Sequence, residues 1–411
     1  MNRNRFFVIV IFCISISLYP QSDFENNFLE GYLNFEKFFQ QLSGDYGGTF
    51  FPFLNSRYGG RDLGLSGAFT GVADDITTIE INPAGTASLK YTELFFSHNK
   101  LMGDVNFNTL AYAIRLNDLG LALSARILYI PFTHYDNFGD VVSSGMISYS
   151  VITLNGSYNF LRTYDFFGIS VGGNIKLYIY GVPENIAANQ TTVNVSFDFG
   201  FLTRFNFLKG YSKNEKNFSV GLAIKNLGPF SANEPPPTTI STGIGYKPIE
   251  QLLLSLDFNY LISYSEFTYK TWSINTGIEW KFTKYTSLLF GAMIKSSPSF
   301  SLGINLDFDD FSITATYNPD FIDLSRFSVS ASLKFGDLGR YKKDTNIKIL
   351  YINALKYMNQ GDYETAKMQL EDILKKDKGF TPARKSLENC NEALKINKKL
   401  KEYYKDNNQI K

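Results

Sequence analysis

Hydrophobic and polar residues alternate one by one through the middle of the chain, from residue 91 to residue 335. Between residues 300 and 308 every even position is Phe, Leu or Ile, and the positions between them are Ser, Gly, Asn and Asp. Between residues 327 and 335 the odd positions are apolar and the even positions are Ser or Lys. Successive side chains of a β-strand point to opposite faces, so each such segment predicts a strand with one apolar face and one small polar face.

Fourteen segments of this kind follow one another. Their predicted bounds are 91–99, 104–116, 119–130, 146–161, 167–180, 191–206, 217–227, 238–247, 252–263, 268–282, 285–294, 298–308, 310–317 and 325–335. At one end of these strands the connections are short, as at Asn117–Asp118 and Thr283–Lys284. At the other end they are longer, as at 131–145, 181–190 and 228–237. Outer-membrane barrels have an even number of strands, short periplasmic turns and longer outer loops, so the short turns are expected on the periplasmic side.

The polar faces of these segments are rich in Ser, Gly, Asn and Thr and poor in charged side chains, which suits a confined lumen better than open water. No later segment reaches the 18 or more apolar residues that a transmembrane helix requires. The pattern therefore predicts an all-β transmembrane barrel of 14 antiparallel strands over residues 91–335. A soluble β-sandwich or a secreted barrel also alternates in this way and remains the alternative.

The first 21 residues have the pattern of an export signal. Arg3 and Arg5 precede an apolar stretch from Phe6 to Leu18, and Pro20 follows it. A positive start followed by a short apolar stretch is typical of a secretory signal peptide. The stretch is too short to cross a hydrocarbon core, which takes about 20 helical residues. Residues 1–21 are therefore predicted to be a signal peptide.

Composition disfavours enzymes and nucleic-acid binders. The chain has 40 basic and 39 acidic side chains, a net charge of +1, whereas a nucleic-acid binder would show a basic domain. It contains two His and two Cys, which leaves too few ligands for a zinc or copper site and little for His-based catalysis. His98 and His134 lack a supporting catalytic motif. We expect no catalytic residues, no metal, no cofactor and no nucleic-acid partner.

Residues 22–90 have a different character, with many small residues between 59 and 73. They contain Ala73-Asp74-Asp75 and then Asn82-Pro83-Ala84-Gly85. This stretch resembles the hatch of FadL-like outer-membrane transporters for long-chain fatty acids and other hydrophobic compounds, a group related to the PorV-like barrels. The resemblance covers residues 57–335, and it implies an N-terminal hatch that plugs a fourteen-stranded barrel.

The small residues of the predicted hatch allow its backbone to pack closely inside a barrel. Asp74 or Asp75 is expected to cap the turn that follows. Pro83 biases Asn82 toward an extended conformation, and Gly85 is expected to allow a left-handed bend into strand one. The candidate hatch or gating residues are Gly64, Gly67, Asp74, Asp75, Asn82, Pro83, Ala84 and Gly85.

Basic residues on the polar faces of the strands are a second group of candidates. Arg126, Lys176 and Arg204 are candidate lumen contacts for the carboxylate head group of a ligand, through charge-assisted hydrogen bonds. Pairing across the barrel or with the plug is the alternative for each of them. Gly172 and Gly173 lie side by side in the fifth strand, where they indicate either a bulge or kink, or close packing against the plug.

The end of the chain is predicted to form a separate helical module. Residues 336–411 hold 17 basic and 11 acidic side chains, a denser charge than in the rest of the chain. After a linker at 336–344, apolar residues follow helical spacing in three stretches between 345 and 411, separated near Gly361 and Thr381. This tail is similar to a tetratricopeptide unit, and a lone unit is expected to dock on a partner protein or on the mouth of the barrel.

The sequence thus favours a plugged outer-membrane barrel of a diderm bacterium with its helical tail in the periplasm. The resemblance implies transport of hydrophobic small molecules such as long-chain fatty acids, with the ligand and outer-membrane lipid as partners. The alternative is a non-transporting PorV-like scaffold that recruits envelope or secretion partners, including a periplasmic protein partner of the tail.

Overall fold

A computed structural model describes residues 51–101, 105–183, 191–211, 215–229, 236–262, 271–295, 298–319 and 325–408. The predicted signal peptide, 1–21, and residues 22–50 of the predicted hatch lie outside the described residues.

Fourteen strands form a closed antiparallel barrel in which each strand pairs with its neighbours in sequence and β1 pairs with β14. This confirms the predicted fold class. At the closure Glu93 lies opposite Lys334. The strands are β1 Glu93–Lys100, β2 Asn106–Leu116, β3 Leu119–Tyr135, β4 Val141–Phe160, β5 Ile169–Gly181, β6 Thr192–Phe205, β7 Phe218–Leu227, β8 Thr239–Ile249, β9 Leu252–Leu261, β10 Thr271–Lys281, β11 Thr286–Ile294, β12 Ser299–Asp307, β13 Phe311–Asn318 and β14 Arg326–Lys334.

The barrel has its apolar side chains outside and its polar side chains inside. On β12 the side chain of Phe300 is 51% exposed, whereas Ser301 is 1% exposed. On β14 Phe327 is 50% exposed and Ser328 is fully buried. Because a water-soluble protein has the opposite arrangement, this exterior is suited to hydrocarbon rather than water.

We call the end of the barrel that adjoins the C-terminal helices the tail end, and the other the loop end. At the loop end the predicted connection 131–145 is wrong in large part. Strand β3 continues to Tyr135, β4 begins at Val141, and Pro131 lies opposite Met146 in the pairing. Pairing satisfies the backbone of both segments although their side chains do not alternate regularly. At the tail end the connections 161–168 and 206–217 are longer than a tight turn.

Residues 51–92 precede β1, and most of this segment lies inside the barrel, where we call residues 51–90 the plug. It contains 3-10 helices at Pro52–Asn55 and Pro83–Ser88 and the one-turn helices α1 Arg61–Gly64 and α2 Thr78–Ile81. Its apolar side chains are buried against one another and against the wall, and those of Leu54, Leu65 and Phe69 are fully buried.

Glycines of the wall let the plug backbone approach. A Cβ atom at Gly172 would lie 2.3 Å from the carbonyl oxygen of Pro83, and one at Gly221 would lie 2.0 Å from that of Thr70. The pairing of β5 with β4 and β6 has no register shift at Gly172, so close packing rather than a bulge accounts for this glycine. Other wall glycines that meet plug atoms in this way are Gly120, Gly200 and Gly291.

The tail consists of three helices: α3 Arg340–Asn359, α4 Tyr363–Lys376 and α5 Thr381–Asn408. They share an apolar core that includes Ala354, Leu370 and Cys390. The first helix begins at Arg340, inside the predicted linker 336–344, directly after Gly339 in a left-handed conformation. In the described part of the chain no helix combines the length and apolarity needed to cross a membrane.

The tail is attached to the rim of the barrel at two places. The ring of Phe380 packs edge-on against Tyr164 with their centres 5.0 Å apart, and the Thr381 hydroxyl donates to the Asp165 carboxylate at 2.5 Å. The guanidinium of Arg340 donates to the backbone carbonyls of Lys90 and Arg115. The helices therefore dock on the barrel itself, which was one of the two expected docking places.

Candidate functional site

The candidate site is the contact between the plug and the barrel wall, and Asn82 lies at its centre. Its amide nitrogen donates to the carbonyl oxygens of Thr70 at 2.8 Å and Phe201 at 3.0 Å, and its amide oxygen accepts from the backbone NH of Ala84 at 3.2 Å. Its backbone is extended, as the following Pro83 predicts. One fully buried side chain thus links two turns of the plug to β6.

Asp74 and Asp75 lie together on Arg61 near the tail end. The Arg61 guanidinium donates to both carboxylates at 2.8 Å and to Glu279 of β10 at 2.7 Å. Asp75 also accepts from the backbone NH of Thr77 at 2.9 Å, the expected capping contact. Arg61 therefore joins the Ala73-Asp74-Asp75 part of the predicted motif to the barrel wall.

A second charged cluster is buried deep in the lumen around Glu80. Its carboxylate lies 3.0 Å from Lys176 of β5 and 3.2 Å from Arg126 of β3. Lys176 also pairs with Asp198 of β6 at 2.8 Å. Arg126 donates to the backbone carbonyl of Ser56 at 2.5 Å. Two of the three candidate head-group residues therefore hold the plug.

Arg204, the third candidate head-group residue, also contacts the plug. Its guanidinium donates to the carbonyl oxygens of Val72 at 2.9 Å and Ala73 at 3.0 Å. All three residues thus take the alternative that the sequence left open, which is pairing with the plug.

Asp257 of β9 is a site residue that the sequence reasoning missed. Its carboxylate accepts from the backbone NH groups of Phe69 and Thr70 at 3.0 and 2.7 Å, and it is fully buried. The available signal was a carboxylate at a lumen-facing position of a strand, and Asp198 and Glu279 share this signal.

Each predicted hatch glycine is explained by its own surroundings in the structure. Gly67 has φ +75°, and a Cβ atom there would lie 2.2 Å from Nε of Arg57. Gly64 packs against Leu289 of β11. The expectation of a left-handed bend at Gly85 is wrong, because its φ is not positive. Glycine is needed there because a Cβ atom would lie 2.1 Å from the hydroxyl of Thr78. Ala84 is fully buried beside these turns.

Among the described residues, a cavity lies on each side of the plug. The tail-end cavity, about 150 Å³, is lined by residues of both charges, among them Arg61, Asp74 and Glu279. The loop-end cavity, about 290 Å³, is lined by Arg57, Lys225 and other polar residues. The plug separates the two, so a molecule that passes through the lumen has to displace part of the plug.

Comparison with known proteins gives curated relatives and solved structures. A UPF0164 protein of Treponema pallidum (strain Nichols) is 27% identical over 361 residues, 83% of this chain and 83% of that protein. A second UPF0164 protein of the same organism is 22% identical over 386 residues, 85% of this chain and 77% of that protein.

Two solved structures are similar at low identity. The toluene transporter TodX of P. putida is 11% identical, with a TM-score of 0.48 over 68% of this chain and 99% of that chain. A FadL homologue of Pseudomonas aeruginosa is 12% identical, with a TM-score of 0.46 over 70% of this chain and 100% of that chain.

One family covers the plug and the barrel together. Its match runs over residues 40–336 and ends before the first tail helix at Arg340. The chain belongs to the Uncharacterised protein family (UPF0164).

Proposed function

We propose that the protein is an outer-membrane transporter for small hydrophobic or amphipathic molecules, and that movement of the plug controls passage. The observation that carries this proposal is a barrel with an apolar exterior, whose lumen is filled by a segment held through side chains rather than through sheet pairing. In this proposal the tail end faces the periplasm, because both ends of the barrel lie there and most of its connections are short turns, with 161–168 and 206–217 as exceptions.

The contacts of the plug support a displaceable element. Asn82 and Arg61 of the plug contact the wall through a hydrogen bond and an ion pair, which water or a ligand can replace. The preference for hydrophobic ligands is supported by the motif that resembles the FadL-like hatch, since Asp74, Asp75 and Asn82 of that motif make the central plug contacts.

A reversible crosslink tests the proposal directly. The hydroxyl of Ser66 in the plug donates to the hydroxyl of Ser301 on β12 at 2.9 Å, and both side chains are buried. The double variant Ser66→Cys/Ser301→Cys, made with Cys390→Ser, places two thiols where a disulfide can fix the plug to the wall. Uptake of a fluorescent fatty acid into proteoliposomes is measured before oxidation, after oxidation and after reduction.

Oxidation is expected to stop uptake and reduction to restore it, whereas Ser66→Cys with Cys390→Ser should respond to neither. Crosslinked protein that still takes up the probe would refute plug-controlled passage. Uptake by the unmodified protein no greater than that of protein-free vesicles would refute transport itself.

The alternative function, a non-transporting scaffold, is favoured by the docked tail. Contacts from Phe380 and Arg340 hold the helices on the barrel rim, in a fixed position for a periplasmic partner. Deletion of residues 345–411 followed by crosslinking in cells separates the two functions. Lost crosslinked partners with unchanged uptake would assign recruitment to the tail and transport to the barrel.

A further inference from the structure

The loop-end cavity has a strongly one-sided charge. Of the 15 described residues that line it, four are cationic and none is Asp or Glu. The four cations are Arg57 of the plug and Lys225, Lys295 and Arg326 of the wall. The tail-end cavity, by contrast, contains acids and bases together. Like charges gathered in a cavity repel one another and favour an anion there.

Lys225 shows that the positive charge is not balanced by its neighbours. The residue is 9% exposed, yet among the described residues its ammonium has no hydrogen-bond or ion-pair partner. It interacts electrostatically with Glu80, Asp198 and Asp257, but none of them forms an ion pair with it. Glu80 and Asp198 are paired with Lys176, and Asp257 accepts from backbone NH groups of the plug. Burying an ammonium without a partner is costly, so a ligand that accepts hydrogen bonds would stabilise this arrangement.

The two arginines are held in place by other groups. Arg326 donates to the carbonyl oxygen of Arg57 at 2.6 Å and to the side chain of Asn99 at 2.8 Å. The guanidinium of Arg57 packs on Gly67, where any larger residue would displace it. Asp62 interacts electrostatically with both arginines and offsets part of their positive charge. Both guanidinium groups are therefore held in place at the wall of the cavity, beside the ammonium of Lys225.

We infer that the loop-end cavity is a binding site for a small oxyanion of the phosphate or carboxylate class. Arginine and lysine bind such groups through charge-assisted hydrogen bonds. Asn259, Ser273 and Asn275 also line the cavity and supply neutral polar groups. The anion is either a free ion or the head group of an amphipathic ligand, and in the second case the inference rests on the proposed transport function and names the charge of its ligand.

Binding is tested on the full-length protein in neutral detergent by isothermal titration calorimetry. The two probes are inorganic phosphate and octyl phosphate. Lys225→Met removes the unpaired charge and leaves no new buried partner, so the variant is expected to fold. It should weaken binding of both probes by at least about tenfold, the scale of one charge-assisted hydrogen bond, and Lys225→Arg should retain binding.

Lys100→Met is the matched control. Lys100 lies on β1 at the same end of the barrel, on the exposed outer face. Similar affinities for the two probes would support a site for the free ion, and a much higher affinity for octyl phosphate would support a head-group site. Absence of saturable binding for both probes, or equal weakening by Lys225→Met and Lys100→Met, would overturn the inference. Uptake of the fluorescent fatty acid is measured on the same variants, so a failed site with intact uptake leaves transport standing.

Discussion

Replacing Glu80 by Gln should destabilise the docked plug more than replacing any other carboxylate of the plug by its amide. Glu80 is almost fully buried, and its carboxylate is 3.0 Å from Lys176 and 3.2 Å from Arg126. With Asp198 the cluster contains two acids and two bases, so its charge changes from zero to +1 in the variant. The excess charge stays inside the lumen, where water cannot screen it.

The free energy that the docked plug loses in Glu80→Gln depends on the partners that Lys176 and Arg126 keep. Removing one partner of a buried ion pair costs about 3–5 kcal/mol. Lys176 keeps Asp198 at 2.8 Å and Arg126 keeps the carbonyl of Ser56 at 2.5 Å, which favours the lower end of that range. A loss of about 3 kcal/mol raises the population of displaced plug roughly 150-fold, since 1.4 kcal/mol corresponds to a factor of ten.

Two measurements report the displaced plug. Protease cleavage within residues 51–90 should become faster in Glu80→Gln, and single-channel recordings in planar bilayers should show openings that the unmodified protein shows far less often. Glu215→Gln provides the control, because Glu215 pairs with Lys90 at 3.1 Å in an exposed position where an ion pair contributes at most about 1 kcal/mol.

The double variant Glu80→Gln/Lys176→Met tests more strictly whether the net charge of the buried cluster holds the plug. It returns the cluster to a net charge of zero, and it should recover part of the lost protease resistance. Unchanged cleavage and conductance in Glu80→Gln would refute the reasoning. A double variant that is worse than the sum of the single variants would refute the role of net charge.

Three further predictions concern the wall, the tail core and the tail contact. Gly172→Ala should lower the stability of the docked plug by about 1–3 kcal/mol, because its Cβ atom would meet the Pro83 carbonyl at 2.3 Å. Gly156→Ala is the control and should have no such effect, because the space at that position is open. Equal protease sensitivity of the plug in the two variants would contradict this. Cys390 is fully buried, and burial raises the pKa of its thiol, so iodoacetamide should modify it far more slowly in the folded protein than in denaturant; equal rates would show that the tail core is open. Tyr164→Ala removes the ring contact with Phe380 and should speed hydrogen exchange in α5 by several-fold, the scale of about 1 kcal/mol, with unchanged uptake; unaltered exchange would place the docking energy elsewhere.

The strands could be predicted because their signal is local. In a membrane barrel every strand has lipid on one face and lumen on the other, so the alternation of Phe300 with Ser301 and of Phe327 with Ser328 appears directly in the sequence. The signal weakens where a strand leaves the lipid. The extended hairpin of β3 and β4 around Pro131 therefore escaped prediction, although its strands pair regularly up to His134.

The plug was predicted as a segment, and its local chemistry was predicted in part. The extended backbone at Asn82 and the cap at Asp75 follow from neighbouring residues and are present. Glycine at position 85 was predicted to serve a left-handed bend, but it is needed because there is no space for a side chain. The space at a residue depends on what packs against it, which the neighbouring sequence does not show. The contact with Thr78 that excludes a side chain there exists only in the folded plug.

The sequence by itself determined a barrel with an apolar exterior, a glycine-rich segment before it and three helices after it, since each depends on residues close together in the chain. Only the tertiary structure decided which lumen group meets which plug group. Asp257 binds the NH of Phe69 across 188 positions of the chain, and Lys176 binds Glu80 across 96. Such partners are chosen by the register and closure of the whole barrel, and this is why Arg126, Lys176 and Arg204 hold the plug while Lys225 is left facing an open cavity.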